Sequence, residues 1–178
     1  IIGNDFRGKK VEKICNKSSI NLIKNYEGQT IEKKRFIETG HNHYLMRVDS
    51  GESHLHPISS KTESYLLDQF KKNLDKYQGI ILSDYDKRMF KGNFGQKIID
   101  LANTQKLVIV VDPKPINAKK FLKATLVRPN LSEAQGIVEK KDLPLNVLAV
   151  ELKKAVQSKS VIITCGSKGM VAYEDKFY

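Results

Sequence analysis

Four short runs of aliphatic and β-branched residues, each cut off by polar ones, constrain this chain most: "GIILS" (79–83), "LVIVV" (107–111), "ATLV" (124–127) and "SVIIT" (160–164). Between them, apolar residues recur at helical spacing. After Ser59 and Ser60, whose hydroxyls suit a helix cap, come Leu66, Leu67, Phe70, Leu74 and Tyr77. Phe94, Ile98, Leu101 and Ala102 predict a second helix, another starts near Ser132, and Leu148, Leu152, Ala155 and Val156 mark one more. Continuous apolar strands separated by amphipathic helices are the pattern of a parallel sheet covered on both faces. The predicted class is α/β with a mostly parallel central sheet flanked by helices.

The first third reads differently. "GQTIEKKRFIE" and "HYLMRVD" alternate polar and apolar side chains in places, and "ETGHN" between them carries the Gly and Asn of a turn. This predicts a small β lid over about residues 28–52, set apart from a central α/β part over about 60–178. Arg35, Arg47 and Asp49 would project from it. With 178 residues, 40% of them hydrophobic, one core is expected, hence one domain or most of one.

Lysine and arginine outnumber aspartate and glutamate 31 to 20, for a net charge of +11, which raises nucleic acid as a partner. The basic residues of "FKKNLDKYQ", "INAKKFLK" and "ELKKAVQSK" are interleaved with Asp, Glu and Asn on the polar faces of predicted helices, so solvated faces are the expectation and no nucleic-acid partner is assigned. The excess charge suits an anionic small substrate. No apolar stretch approaches the roughly 20 residues of a membrane span, and no leader pattern is expected. Cys15 and Cys165 fit no paired redox or metal spacing, so a cytoplasmic protein is expected.

In an open parallel sheet, ligands bind beyond the carboxyl ends of the strands, where loops gather and helix amino ends offer free N–H groups. Four strands here end in polar residues predicted to share that edge: Ser83-Asp84-Tyr85, Asp112-Pro113-Lys114, Arg128-Pro129-Asn130 and Thr164-Cys165-Gly166. Lys114 offers a cation. Asn130 and Glu133, near a helix start, suit a hydrated metal or phosphate oxygens. "TCGSKGM" (164–170) is a tight loop in which Gly166 and Gly169 allow close backbone approach to a ligand. Each piece has a plainer reading, Asp112-Pro113 as a strand terminator and the glycines as a simple hairpin turn. "GNFGQK" lacks the lysine spacing of a P-loop.

The order of these pieces is itself informative. "ILSDYDKRMF", "VIVVDPKPINAKKFLKATLVRPNLSEA" and "VIITCGSKGM", with the opening "IIGNDFRGKKV", resemble the PfkB, or ribokinase-like, family of carbohydrate kinases. The segment "TIEKKRFIETGHNHYLMRVD" is most similar to its heptose 7-phosphate kinase branch, the kinase domain of bacterial ADP-heptose synthases. The resemblance implies a ribokinase-like fold, with a β lid closing over the sugar. It implies ATP and magnesium, and phosphorylation of a sugar phosphate at its anomeric hydroxyl. Lys114 would lie near the transferring phosphate; Asn130 and Glu133 would organise magnesium, through water, and phosphates; Asp112, Thr164, Gly166 and Gly169 would belong to the nucleotide side. Lys33, Arg35, Arg47, Asp49, Asp84 and Tyr85 would serve the acceptor, and a homodimer is a further expectation.

Some positions depart from the family pattern. Relatives read S-D-Y-G-K-G where this chain has Ser83-Asp84-Tyr85-Asp86-Lys87-Arg88, so two glycines are replaced, and a glycine needing positive φ there would force the loop to rearrange. His43 and Tyr44 stand where the heptose branch carries glutamines, and "RPN" replaces "TPN". The family's Gly-Gly and Asn sugar segment is expected before Ile1, and its G-A-G-D motif, holding the general base, after Tyr178. The chain as written is therefore not expected to catalyse transfer. A noncatalytic nucleotide- or sugar-phosphate-binding module, or a kinase for another sugar, is the alternative. His41 and His43, like His54 and His56, are spaced to share a strand face, but no Cys or carboxylate stands at zinc-ligand spacing, so surface or lid histidines are expected. Cys165 reads as a packing residue, since no adjacent base is evident.

Overall fold

A computed structural model describes residues 2–41, 43–52 and 56–178. The chain divides into two compact units, Ile1–Thr62 with Lys87–Met89, and Glu63–Asp86 with Phe90–Tyr178.

The first unit holds a helix that the apolar spacing does not reveal, α1 (Phe6–Lys17). Its start is fixed by Asp5, whose carboxylate accepts the Gly8 N–H at 2.8 Å and, through its other oxygen, the Thr30 N–H at 2.8 Å. Thr30 Oγ1 in turn accepts the Gly3 N–H at 2.9 Å, so the opening "IIGND" is tied to the lead-in of the predicted hairpin. That hairpin is present: β1 (Glu32–Ile37) pairs antiparallel with β2 (Tyr44–Ser50), with Lys33 opposite Asp49, Arg35 opposite Arg47 and Phe36 opposite Met46. Direct opposition puts charged pairs on one face and Phe36, Met46 and Val48 on the other.

Helix α2 (Ser60–Lys72) begins after Ser59, whose hydroxyl accepts the Thr62 N–H at 3.1 Å, as the cap reading anticipates. It stops earlier than the spacing to Tyr77 predicts. Asn73 turns its amide back onto the Gln69 carbonyl at 2.8 Å, and Leu74–Lys76 form a 3-10 turn that buries Leu74 and stacks Tyr77 on Phe70.

The second unit is built on a five-stranded sheet in the order β3 (Gly79–Ser83), β4 (Val108–Asp112), β5 (Leu126–Val127), β6 (Ser160–Thr164), β7 (Met170–Tyr173). The first four are parallel and β7 is antiparallel to β6. Helices α3 (Phe94–Thr104), α4 (Leu131–Val138) and α5 (Leu145–Val156) complete it. Ile99, Leu148 and Leu152 from the helices and Ile109, Val111, Val161 and Ile163 from the strands are fully buried.

The sheet carries helices as expected, with α3 packed on β4 and α5 on β6 and β7. In β4 and β6 alternate residues are fully buried, and Val110 and Ile162 between them are half-buried. The reading of "GIILS" as a buried strand is corrected: β3 ends the strand order among the described residues, and its Ile81 is 76% exposed. No helix among the described residues is long and apolar enough to cross a membrane.

Candidate active site

Because β3 to β6 run parallel, their carboxyl ends share one edge, and the backbone stitches them together there. The Asp84 N–H donates to the Asp112 carbonyl at 2.9 Å, Arg128 N–H to Val111 at 2.9 Å and Thr164 N–H to Pro129 at 3.1 Å. Asn130 and Thr164 form an isolated parallel bridge. Asp84, Asp112, Asn130 and Thr164 therefore sit on one rim.

Asn130 caps α4. Its Oδ1 accepts the Glu133 N–H at 2.9 Å and Glu133 Oε2 accepts the Asn130 N–H at 3.0 Å, a reciprocal capping box. The other carboxylate oxygen of Glu133 accepts from Lys114 Nζ at 2.5 Å. Burial pushes the Glu133 carboxyl up, but the Lys114 ammonium and the Asn130 N–H outweigh it, and the net pKa lies below the ordinary 4.5. Glu133 in turn raises the Lys114 ammonium above its ordinary 10.5 against the pull of burial. A depressed carboxyl stabilises the fold above its unfolded value and loses that contribution as pH falls through the folded one; a raised ammonium contributes below its unfolded value and loses it as pH rises through the folded one. The pair is thus at full strength between 4.5 and 10.5. Glu133→Gln is expected to be less stable than the parent at pH 7 in urea denaturation, with the gap closing as pH drops below 4.5. A gap that stays constant into acid contradicts the ion pair.

Asp84 has a different place from the acceptor-facing one expected of it. It is 5% exposed, and both oxygens are taken: Oδ1 by the Asp86 N–H at 2.8 Å, Oδ2 by the Lys114 N–H at 3.2 Å and the Asn117 amide at 2.9 Å. A buried carboxylate with three donors holds backbone in place and has little capacity left for a ligand. Tyr85 beside it is 68% exposed. Asp112 pairs through Oδ2 with Arg128 Nη2 at 2.8 Å, so the arginine of "RPN" neutralises the rim's second aspartate. Gly166 and Gly169 adopt φ of 60° and 85°, and a Cβ built on either meets nothing within 4 Å, which leaves open space against the backbone. Cys165 Sγ lies 3.8 Å from the Ile163 carbonyl.

Lys33, Arg35, Arg47 and Asp49 belong to the first unit. Asp49 takes Lys33 Nζ at 3.1 Å and Arg47 Nε at 2.9 Å, and Glu52 takes Lys87 Nζ at 2.6 Å. Arg35 and Arg47 face each other across the strands, an arrangement of like charges that an anion between them would relieve. A cavity of about 490 Å³ in this unit, bounded by Gln29, Thr30, His56, Ile58 and Met89 among others, contains none of the predicted site residues. The His41 and His43 rings are 6.0 Å apart, His56 is exposed, and His54 lies outside the described residues. Among the described residues no group of three His, Cys, Asp or Glu side chains is set to hold a metal.

The family model "pfkB family carbohydrate kinase" matches residues 1–178. The chain belongs to the pfkB family of carbohydrate kinases. It is 30% identical over 177 residues to an "Uncharacterized sugar kinase" of Buchnera aphidicola, covering 97% of this chain and 54% of that one. It is 29% identical over 180 residues to the "Bifunctional protein HldE" of Nitratiruptor, covering 99% and 37%. The chain thus spans about half or less of the curated relatives it matches. Its fold is ribokinase-like: a possible 1-phosphofructokinase of Thermotoga maritima superposes with a TM-score of 0.74 at 17% identity over 98% of this chain and 56% of that one, and ribokinase from Giardia lamblia with 0.70 at 19% over 98% and 55%.

At Asp86 and Arg88, the two positions where the family resemblance leads to an expectation of glycine, the backbone is left-handed, with φ of 53° and 61°. Aspartate tolerates that region because its short polar side chain bonds locally, while Arg88 bears a cost on the order of 1–2 kcal/mol.

The rim fits a magnesium–nucleotide pair in one manner. No all-protein cage exists among the described residues, and magnesium is ordinarily held by one or two carboxylates together with waters and phosphates. The residues present fit that manner of binding: Glu133 is a carboxylate on the rim, Lys114 is the cation beside it, and Gly166 and Gly169 leave open space against the backbone.

Proposed function

We propose that the protein is an ATP-dependent carbohydrate kinase, a phosphotransferase with an alcohol acceptor, acting on D-glycero-β-D-manno-heptose 7-phosphate at the anomeric hydroxyl in ADP-heptose and lipopolysaccharide precursor synthesis. The observation that carries this reading is Lys114, an ammonium held by the Glu133 carboxylate on the strand-end rim, the same sheet edge from which the open loop of Gly166 and Gly169 leaves. Phosphoryl transfer demands little covalent chemistry of a protein and much positioning and charge neutralisation. Magnesium, when bound, shields the phosphate oxygens. Lys114 neutralises charge developing on the transferred group, Glu133 orients Lys114 and metal-bound water, and the backbone at Gly166 and Gly169 admits the nucleotide.

The hairpin is read as the lid, closing over the acceptor and excluding water. Lys33, Arg35 and Arg47 suit the phosphate that the acceptor already carries, with Asp49 holding two of these cations in place. The heptose assignment rests on the lid segment's likeness to the heptose branch. The exposed Phe36, Met46 and Val48, on a strand face they share with the Lys34–Glu32 ion pair, suit a homodimer.

A noncatalytic binder of the same fold is the second reading, since the Asn130–Glu133 capping box and the Lys114–Glu133 pair also serve to join the end of β4 to the start of α4. The two readings separate on the product of the complete gene. Magnesium–ATP at 100 times its Kd is expected to stabilise the fold by about 2.7 kcal/mol in thermal denaturation. The kinase reading adds ADP release dependent on heptose 7-phosphate within a panel of sugars and sugar phosphates. Stabilisation without turnover on any acceptor leaves the binder; turnover only on another sugar overturns the heptose assignment.

A further inference from the structure

Asn117 has no place in the roles considered so far, yet it is 5% exposed and its side chain is fully engaged. Its amide nitrogen donates to Asp84 Oδ2 at 2.9 Å and to Asp86 Oδ1 at 3.1 Å, and its amide oxygen accepts from Lys120 Nζ at 2.6 Å. That cation also reaches the Phe90 carbonyl at 2.9 Å. With carboxylates on one side and an ammonium on the other, the amide has one favourable orientation.

The same two residues grip the backbone of Lys114 from both ends. Asp84 Oδ2 accepts the Lys114 N–H at 3.2 Å, and the Asn117 N–H donates to the Lys114 carbonyl at 2.9 Å. Pro113 precedes Lys114 and Pro115 follows it, so the residue sits where φ is restricted on either side and local strand pairing has ended. A lysine on a loop scans many rotamers; a lysine whose peptide groups are clamped scans far fewer.

We infer that Asp84 and Asn117 form a buried clamp that positions Lys114, with Asp86 and Lys120 fixing the orientation of the Asn117 amide. This deepens the kinase reading and rests on it for its catalytic consequence, though the clamp itself is structural and can be judged alone. Asp86 joins the clamp through its carboxylate, a contact that a glycine at this position could not make.

Asn117→Ala in the complete gene product is expected to speed hydrogen exchange at the Lys114 and Asn117 amides by about tenfold or more, while amides of β6 such as Val161 and Ile163 keep their rates. The kcat falls about 10- to 100-fold, with the acceptor KM moving less than threefold, since a misplaced group loses transition-state contacts ahead of ground-state ones. Lys120→Met, which leaves the buried amide in place, keeps the test open should Asn117→Ala not fold, and is expected to speed exchange at the same two amides by about threefold. Unchanged exchange at Lys114 in a folded variant overturns the clamp, as does faster exchange across the whole sheet, which marks a general packing role. Local acceleration in a protein with no kinase activity supports the clamp and sinks the kinase reading instead.

Discussion

On the kinase reading, replacing Lys114 by methionine in the complete gene product is expected to lower kcat for phosphoryl transfer by about 100- to 1,000-fold, the loss typical when one preorganised charge-stabilising group is removed from a transition state. Methionine keeps the unbranched length and the packing of the stem, and it deletes only the ammonium. Two effects then need separating. Glu133 loses the partner of one oxygen, with its side chain 14% exposed, and becomes an uncompensated carboxylate on the rim where the kinase reading puts the phosphates. Binding of magnesium–ATP therefore weakens as well, by about tenfold, a smaller factor than the loss in kcat. Single-turnover kinetics at saturating nucleotide isolates the chemical step. A Lys114→Met enzyme within threefold of the parent kcat removes Lys114 from the mechanism and leaves the Lys114–Glu133 pair as a purely structural link between the end of β4 and the start of α4.

The sheet and its polar rim were legible in the sequence because they obey local rules. Aliphatic runs ending in Asp-Pro or Arg-Pro announce strands and their ends, and "PNLSE" announces a capped helix, since Asn followed three residues later by Glu is the capping-box spacing. The same signature has two readings, however. Asn130 and Glu133 satisfy each other as a cap, and only the third contact, Lys114 Nζ on Glu133 Oε1, marks the carboxylate as something beyond a helix start. That contact spans 19 residues and no local pattern announces it.

The buried role of Asp84, expected on the rim facing the acceptor, and the part of Asn117, which the sequence reading does not single out, were illegible for a related reason. What buries them is tertiary: the Asn117 amide reaches Asp84 across 33 residues of sequence. Helix α1 was missed because its apolar residues are few and Phe6 and Ile14 are exposed, so no face declares itself; what fixes the start is Asp5, through a bond to Thr30 that crosses 25 residues. The left-handed backbone at Asp86 and Arg88 runs the other way. Replaced glycines left open whether the loop could hold a positive φ, and the surrounding contacts, Asp84 on the Asp86 N–H and Asn117 on the Asp86 carboxylate, hold Asp86 left-handed despite its side chain.

Phe121→Ala is expected to cost about 3–5 kcal/mol of unfolding free energy, the largest stability loss argued for this chain. The ring is 1% exposed and meets Phe90 edge to face with centroids 4.9 Å apart. It also lies against helix α3 at Gly95, where a Cβ would come within 2.6 Å of the ring. That close approach shows the aromatic filling the space a larger residue on α3 would need, so its removal opens a cavity that neither rigid neighbour can fill. The consequence reaches the rim. Phe121 closes the 3-10 turn Pro115–Lys120 through its N–H on the Ala118 carbonyl at 3.2 Å, and that turn carries both Asn117 and Lys120. Urea denaturation should therefore show a midpoint shift at unchanged slope, together with faster hydrogen exchange at Lys114 even under conditions where the fold remains intact. Phe121→Leu, which refills most of the volume, should recover more than half of the loss. If alanine costs less than about 1 kcal/mol, the ring is not packed as described, and the support it gives to the Lys114 clamp goes with it.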